Sequence, residues 1–244
     1  MDLQGKTAVI TGGAKRIGRA LTLALAGAGC NIILHYGRSR GAAEQTAEAA
    51  RTLGARVFLK QVDLVAPVGL ATLVETERLG LSPAQILVNS AAVFPTDTLR
   101  DLTLDQWSVT FRVNLRTPIF LTQAFANALP TDLVGAVINI TDWRTARPYP
   151  DHFSYSVAKG ALDAFTRSAA ISLAPQIRVN AIALGAMLPP PDKDQGYLDA
   201  LAATLPLQRP GGTTVIADTM LHLLRNDFVT GEILRLDGGA HLQY

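Results

Sequence analysis

Seven short apolar runs recur along the chain, at 7–10, 31–35, 56–59, 86–88, 136–140, 177–179 and 233–236, most of them rich in β-branched residues. Longer Ala- and Leu-rich stretches with helical spacing lie between them, at about 17–28, 41–53, 67–79, 103–128, 153–174 and 214–225. Most of the short runs read as continuous apolar stretches rather than alternating ones. That pattern predicts strands buried on both faces, as in a parallel sheet covered by helices. Alternation of strand and helix predicts a doubly wound α/β fold, with seven parallel strands, helices on both faces and ligands at the carboxyl ends of the strands. No repeat of 20–50 residues interrupts the pattern, and one domain over 1–244 is expected.

Composition narrows the class. Of 244 residues, 48% are apolar and 17% charged, with mean hydropathy +0.22, so the chain can build a large core. Twenty-two basic and 20 acidic residues leave a formal charge of +2. That balance argues against a dedicated nucleic-acid binder or a membrane-surface protein. Cys30 is the only cysteine, which excludes an internal disulfide and fits a reducing compartment. The first residues, Met1 to Lys6, carry no apolar signal segment. The uncharged stretch Ala20 to Leu34 is too short to span a membrane and is broken by Gly27, Gly29 and Asn31. A soluble, cytoplasmic protein is expected. Leu184 to Gly196 is irregular, with prolines at 189–191, and opens a region at about 184–212 on the ligand edge. It reads equally as a substrate lid or as an ordinary surface loop.

Chemistry begins at the first turn. After the strand Thr7–Ile10 comes Thr11-Gly12-Gly13-Ala14-Lys15-Arg16-Ile17-Gly18, leading directly into a helix. Glycines there let the backbone turn tightly and approach a pyrophosphate at the positive helix end. The second strand ends His35-Tyr36-Gly37-Arg38-Ser39-Arg40, without the carboxylate that an NAD-preferring site places on the ribose. Arg38 and Ser39, with Arg16 from the neighbouring turn, could surround a 2′-phosphate instead. NADP(H) is the expected cofactor. Further on, Tyr155 and Lys159 stand four residues apart, on one face of a helix. A cation beside the phenol is expected to lower the tyrosine pKa towards neutrality.

In that company the chain resembles the short-chain dehydrogenase/reductases over essentially its full length. The matching pieces are Thr11-Gly12 to Gly18, Asp63, Asn89-Ser90-Ala91, Asn114, Tyr155 to Lys159, Arg178-Val179-Asn180, and Thr230-Gly231 through Asp237-Gly238-Gly239. The resemblance implies a Rossmann-type sheet and assigns roles. Tyr155 would donate the proton, Lys159 would hold the nicotinamide ribose and tune Tyr155, and Asn114 would position a water in the proton relay. Gly12, Arg16, Ile17, Gly18, Tyr36, Arg38, Ser39, Asp63, Leu64, Asn89 and Ala91 would line the cofactor, with Asn89 and Ala91 at the adenosine ribose and Asp63 at the adenine amine. It also implies a homotetramer paired through the helices at 103–128 and 153–174, with Asp237–Tyr244 near another interface.

Asp142 departs from the family pattern, since it lies thirteen residues before Tyr155, where serine is usual. A serine would donate a hydrogen bond to a carbonyl, whereas an ionised carboxylate would repel the developing oxyanion. A protonated or relaying carboxyl suits delivery of a proton to a ring nitrogen, so the exchange argues for reducing C=N. The other readings of Asp142 are a turn cap or a site that no longer catalyses. This exchange, the Ala14-Lys15-Arg16 turn, the His35 to Ser39 strand end and Phe94 all look like the pteridine reductase branch. In that branch an aromatic such as Phe94 sandwiches the pterin against nicotinamide. Leu184-Gly185 and Ser90 depart from it, where Pro-Gly and Asn are usual, while Trp143, Arg144 and Arg147 read as pocket-rim residues. The expected activity is NADPH-dependent reduction of a pteridine, with Phe94, Asp142 and Tyr155 meeting the substrate. A carbonyl reductase of 3-oxoacyl thioesters or ketones, or a non-catalytic NADP-binding module, are the alternatives.

Overall fold

A computed structural model describes residues 1–66, 69–190 and 193–243. Seven parallel strands form one sheet: β1 (Thr7–Thr11), β2 (Asn31–Tyr36), β3 (Val57–Gln61), β4 (Ala84–Asn89), β5 (Gly135–Asp142), β6 (Ile177–Leu184) and β7 (Ile233–Leu236). Their order is β3-β2-β1-β4-β5-β6-β7, so the direction of winding reverses between β1 and β4. The cleft at that reversal is where ligands bind in open α/β sheets.

Alternate residues of each strand feed two cores. Ala8, Ile10, Ile32, Leu34, Ile138 and Ile182 pack beneath α1 (Arg16–Gly27), α2 (Arg40–Thr52) and α7 (Gly212–Arg225). Val9, Ile33, Leu87, Val137 and Val179 face the other way, towards α4 (Thr117–Ala128) and α5 (Phe153–Leu173). Burial on both faces explains the unbroken apolar runs.

Three expectations about helices need correction. The stretch expected at 67–79 forms no α-helix over its described part; single 3₁₀ turns cover Leu70–Leu73 and Glu77–Leu79. Gly69 and Gly80 adopt φ of +90° and +61°, which right-handed helix cannot accommodate. Pro67 and Val68 lie outside the described residues. The helix expected at 103–128 is two helices, α3 (Leu104–Phe111) and α4, separated by a π turn at Arg112–Arg116. Thr103 and Gln106 close a capping box at the start of α3. Pro118 begins α4 afresh because its ring nitrogen has no hydrogen to return to the carbonyl of Asn114. Finally, the region at 184–212 contains a helix, α6 (Gln195–Ala203), capped by Asp194. Pro191, third of the proline run, lies outside the described residues, as does Tyr244.

Candidate active site

The carboxyl ends of β1, β4 and β5 meet at the cleft. Thr11 Oγ1 accepts from the backbone N–H of Ser90 (3.0 Å) and Ala91 (3.1 Å), which ties the end of β1 to the chain leaving β4. Gly12 has φ +65°, and a Cβ there would stand 2.9 Å from Ala91 Cα. Glycine at position 18 is as strictly required, since its added Cβ would lie 2.1 Å from the Gly12 carbonyl oxygen. Helix α1 starts beside this turn with no side-chain cap and no acid in its first turn. Its free N–H groups and positive dipole end therefore suit a pyrophosphate.

At the end of β2, Tyr36 is buried, Ser39 is partly exposed and Arg38 is exposed. Arg38 makes no ion pair among the described residues, while Arg40 is bound to Glu44 at 2.9 Å. The exposed Arg38 guanidinium, without an ion pair among the described residues, fits a 2′-phosphate, while the nearby Glu44 carboxylate is taken up by Arg40. Arg16 is placed differently from expectation. Its φ is +52°, and Nη2 donates to the Pro189 carbonyl at 2.5 Å, so it reaches across to the 184–212 region. Ile17 is partly buried in the first turn of α1, and Leu64 is buried, its carbonyl accepting from Thr117 Oγ1. Asp63 Oδ1 accepts from the Val65 N–H at 2.9 Å. The Asn89 side chain does not face the cleft. It is 2% exposed, and Nδ2 donates to Asn139 Oδ1 (2.9 Å) and Thr122 Oγ1 (3.4 Å). The strand's side-chain alternation directs it into the core between β5 and α4, leaving only its backbone near a ribose.

Tyr155, Asp142 and Lys159 come together. Tyr155 Oη donates to Asp142 Oδ2 at 3.0 Å, and the Arg144 N–H donates to Asp142 Oδ1 at 2.9 Å. Lys159 is buried, and Nζ donates to the Ile140 carbonyl at 2.6 Å and lies 5.6 Å from the Tyr155 ring centre. Burial, opposed by Arg144, Tyr155 and Lys159, pushes the Asp142 carboxyl above the usual carboxylate range. Burial pushes Lys159 down to about 8, with Asp142 and Asp163 pulling against it. Tyr155 is held well above the ordinary phenol value, the reverse of the expectation. Burial and the adjacent Asp142 carboxylate both disfavour a phenolate, and the lysine ammonium is committed to a backbone carbonyl. The tyrosine is therefore a neutral O–H donor.

Asn114 is fully buried in the π turn, and both ends of its carboxamide are engaged by one residue. Its Oδ1 accepts from the Val93 N–H (3.0 Å) and its Nδ2 donates to the Val93 carbonyl (2.8 Å). The side chain fixes the loop that carries Phe94. Phe94 is 41% exposed and meets the Tyr155 ring edge-on at 4.6 Å. One of its faces is already filled: the His152 imidazole stacks on it at 3.7 Å and 11°.

Sequence reasoning missed several of the groups that build this site. His35 accepts the Gly12 N–H on Nδ1 (3.1 Å) and donates from Nε2 to the Val62 carbonyl (2.9 Å). Asp97, 2% exposed, accepts from Ser154 N (3.0 Å) and Ser154 Oγ (2.5 Å), and its carbonyl accepts from Phe153 N. It seats the helix one residue before Tyr155. His35 stood at a strand end next to the turn, a signal that could have been read. Asp97 and His152 carried none, because their partners are 57 residues distant.

A doubly wound sheet, a glycine turn without a capping residue and a Tyr155–Lys159 helix face define a dinucleotide-dependent oxidoreductase class. The chain belongs to the short-chain dehydrogenase/reductase family. The family model described as enoyl-(acyl carrier protein) reductase matches residues 12–241. Among solved structures, it is similar to FolM alternative dihydrofolate reductase 1 from Brucella suis in complex with NADP. The two share 36% identity, over 100% of this chain and 98% of that one, with TM-score 0.94. The Brucella canis protein of the same name, complexed with NADP, gives 35%, 100%, 97% and 0.92. L-xylulose reductase of Mus musculus is 31% identical over 98% of each chain.

Proposed function

We propose that the protein is an NADPH-dependent reductase of a pteridine-type C=N bond. Gly12 and Gly18, the uncapped start of α1, and Arg38 with Ser39 would hold the dinucleotide, and Lys159 its nicotinamide ribose. Bound there, the reduced nicotinamide supplies a hydride. The chain supplies the proton. The observation that carries the reading is the Tyr155 to Asp142 hydrogen bond, with a carboxyl whose desolvation favours its protonated form. A neutral carboxyl can donate to a ring nitrogen, and Tyr155 can hand a proton on to Asp142 only as it takes another from water, so that no free phenolate forms. Asn114 would act through its backbone, its side chain being engaged by Val93, with its carbonyl accepting from a water that refills the relay.

The structural relatives agree, since FolM of two Brucella species is called an alternative dihydrofolate reductase. The names of other relatives favour carbonyl reduction, L-xylulose reductase among them, and that is the second reading. An NADPH-oxidation panel decides between them. Turnover of 7,8-dihydrobiopterin or dihydrofolate, with acetoacetyl thioester and simple ketones ignored, supports the pteridine reading. The opposite pattern supports the second, and no turnover at all would favour a binding module. We further propose a cytoplasmic homotetramer. No described helix is long and apolar enough to cross a membrane. Exposed Phe120 and Ile171 on α4 and α5, beside a groove of about 370 Å³ between those helices, support pairing of copies there.

A further inference from the structure

Two residues beyond Asp142, the Arg144 side chain turns back towards the same aromatic wall. Its guanidinium carbon lies 5.3 Å over the Phe94 ring and 5.5 Å over the Tyr149 ring. The side chain is only 18% exposed, yet among the described residues its guanidinium makes no hydrogen bond. Asp151 Oδ1 forms a long ion pair with Nη2 at 4.0 Å, beyond hydrogen-bond reach, and Nε is buried without a hydrogen-bond partner among the described residues. Buried donors left unsatisfied are rare and costly, more so on a charged group. The cation is also anchored at its root, because its own backbone N–H holds Asp142 Oδ1 at 2.9 Å. Two aromatic rings brace this guanidinium, and its N–H groups are left without a hydrogen bond among the described residues.

The geometry points to Arg144 as the residue that selects the substrate, by donating from its planar fork to the acceptor edge of a flat heterocycle. The fork matches two adjacent in-plane acceptors, a ring nitrogen beside a carbonyl oxygen, the pattern arginine reads at O6 and N7 of guanine. A 4-oxopteridine presents N5 and O4 in that arrangement, whereas a simple ketone or a thioester presents one carbonyl oxygen. The inference rests on the pteridine reading and sharpens it. It also gives Phe94 a part compatible with the His152 stack: the ring braces the guanidinium from which substrate hangs.

The test uses a complex that cannot turn over, the protein with NADP⁺ and fully oxidised 6-methylpterin, titrated by quenching of tryptophan fluorescence. A parallel series uses the 5-deaza analogue, which lacks N5. Arg144→Met should weaken 6-methylpterin at least tenfold and the 5-deaza analogue by no more than threefold, with NADP⁺ affinity and melting temperature unchanged. Arg144→Lys keeps the charge and loses the fork, so it too should lose the preference for N5. Should the Met variant fail to fold, the Lys variant carries the test alone. In turnover with fully oxidised biopterin, whose C7=N8 bond takes hydride and proton and leaves N5 free to accept from Arg144, the effect should fall on KM, with kcat within threefold. Equal weakening of both ligands, or no weakening, overturns the role of Arg144 while leaving the pteridine reading in place. Wild-type protein that binds neither ligand overturns both.

Discussion

Replacing Asp142 by asparagine separates proton chemistry from geometry. Asparagine is isosteric, and its Oδ1 can still accept the Arg144 N–H now held at 2.9 Å. Its amide can meet the Tyr155 hydroxyl now 3.0 Å from Oδ2, but no amide stores or delivers a proton at neutral pH. General acid–base steps are worth about 10²–10⁴-fold, so Asp142→Asn should lose that much kcat on an oxidised pterin, about 2.7–5.5 kcal/mol of barrier. Asp142→Ala removes in addition the acceptor that caps the turn at Trp143–Thr145, a further ~1 kcal/mol of local stability. The difference between the two variants therefore reports the cap, and the loss in the asparagine variant reports the proton. Asp142→Ser should restore carbonyl reduction relative to pterin reduction, and Tyr155→Phe should be at least as damaging in either mechanism. The assay is steady-state NADPH oxidation, with cofactor affinity measured separately to show that binding is unaltered. If Asp142→Asn keeps pterin turnover within about threefold, under 0.7 kcal/mol, the relay is wrong.

Other outcomes can be checked independently. NADPH should be preferred over NADH at least tenfold in kcat/KM, about 1.4 kcal/mol, and Arg38→Ala should erode that preference while sparing NADH kinetics. Equal use of both cofactors by the wild type would refute the reading of the β2 corner. His35 is pulled below the ordinary value of 6.5 by burial, against its bond to Val62, so the folded protein favours the neutral ring. Its contribution to stability is then fully present above 6.5 and lost as pH falls through the depressed value. Melting temperatures between pH 7.5 and 5 should drop more for wild type than for His35→Gln. At neutral pH that variant should be less stable by roughly 1–3 kcal/mol, because Gly12 N–H and the Val62 carbonyl lose well-aligned partners. Light scattering at micromolar concentration should give a tetramer, and Phe120→Glu with Ile171→Glu should split it; a monomeric wild type would end that proposal.

Much of the architecture was legible because it depends on local pattern. All seven strands lie where the apolar runs stood, and the central ones, covered on both faces, have no polar side to interrupt them. Likewise, Tyr155 and Lys159 share a helix face by spacing alone. What failed locally failed for local reasons too: Gly69 and Pro118 were visible breakers within apparently helical stretches. The site's detail was not legible, because it depends on distant partners. Nothing in the sequence says that Arg16 reaches Pro189, that Asn89 turns into the core, or that His152 fills a face of Phe94. Nor could residue type give the direction of the Tyr155 shift. A lysine four residues away suggested a lowered pKa, and only the fold shows that its ammonium is spent on the Ile140 carbonyl while a carboxylate faces the phenol. Spacing along the chain set which side chains share an element; packing decided which of them were desolvated together, and desolvation governs the proton chemistry.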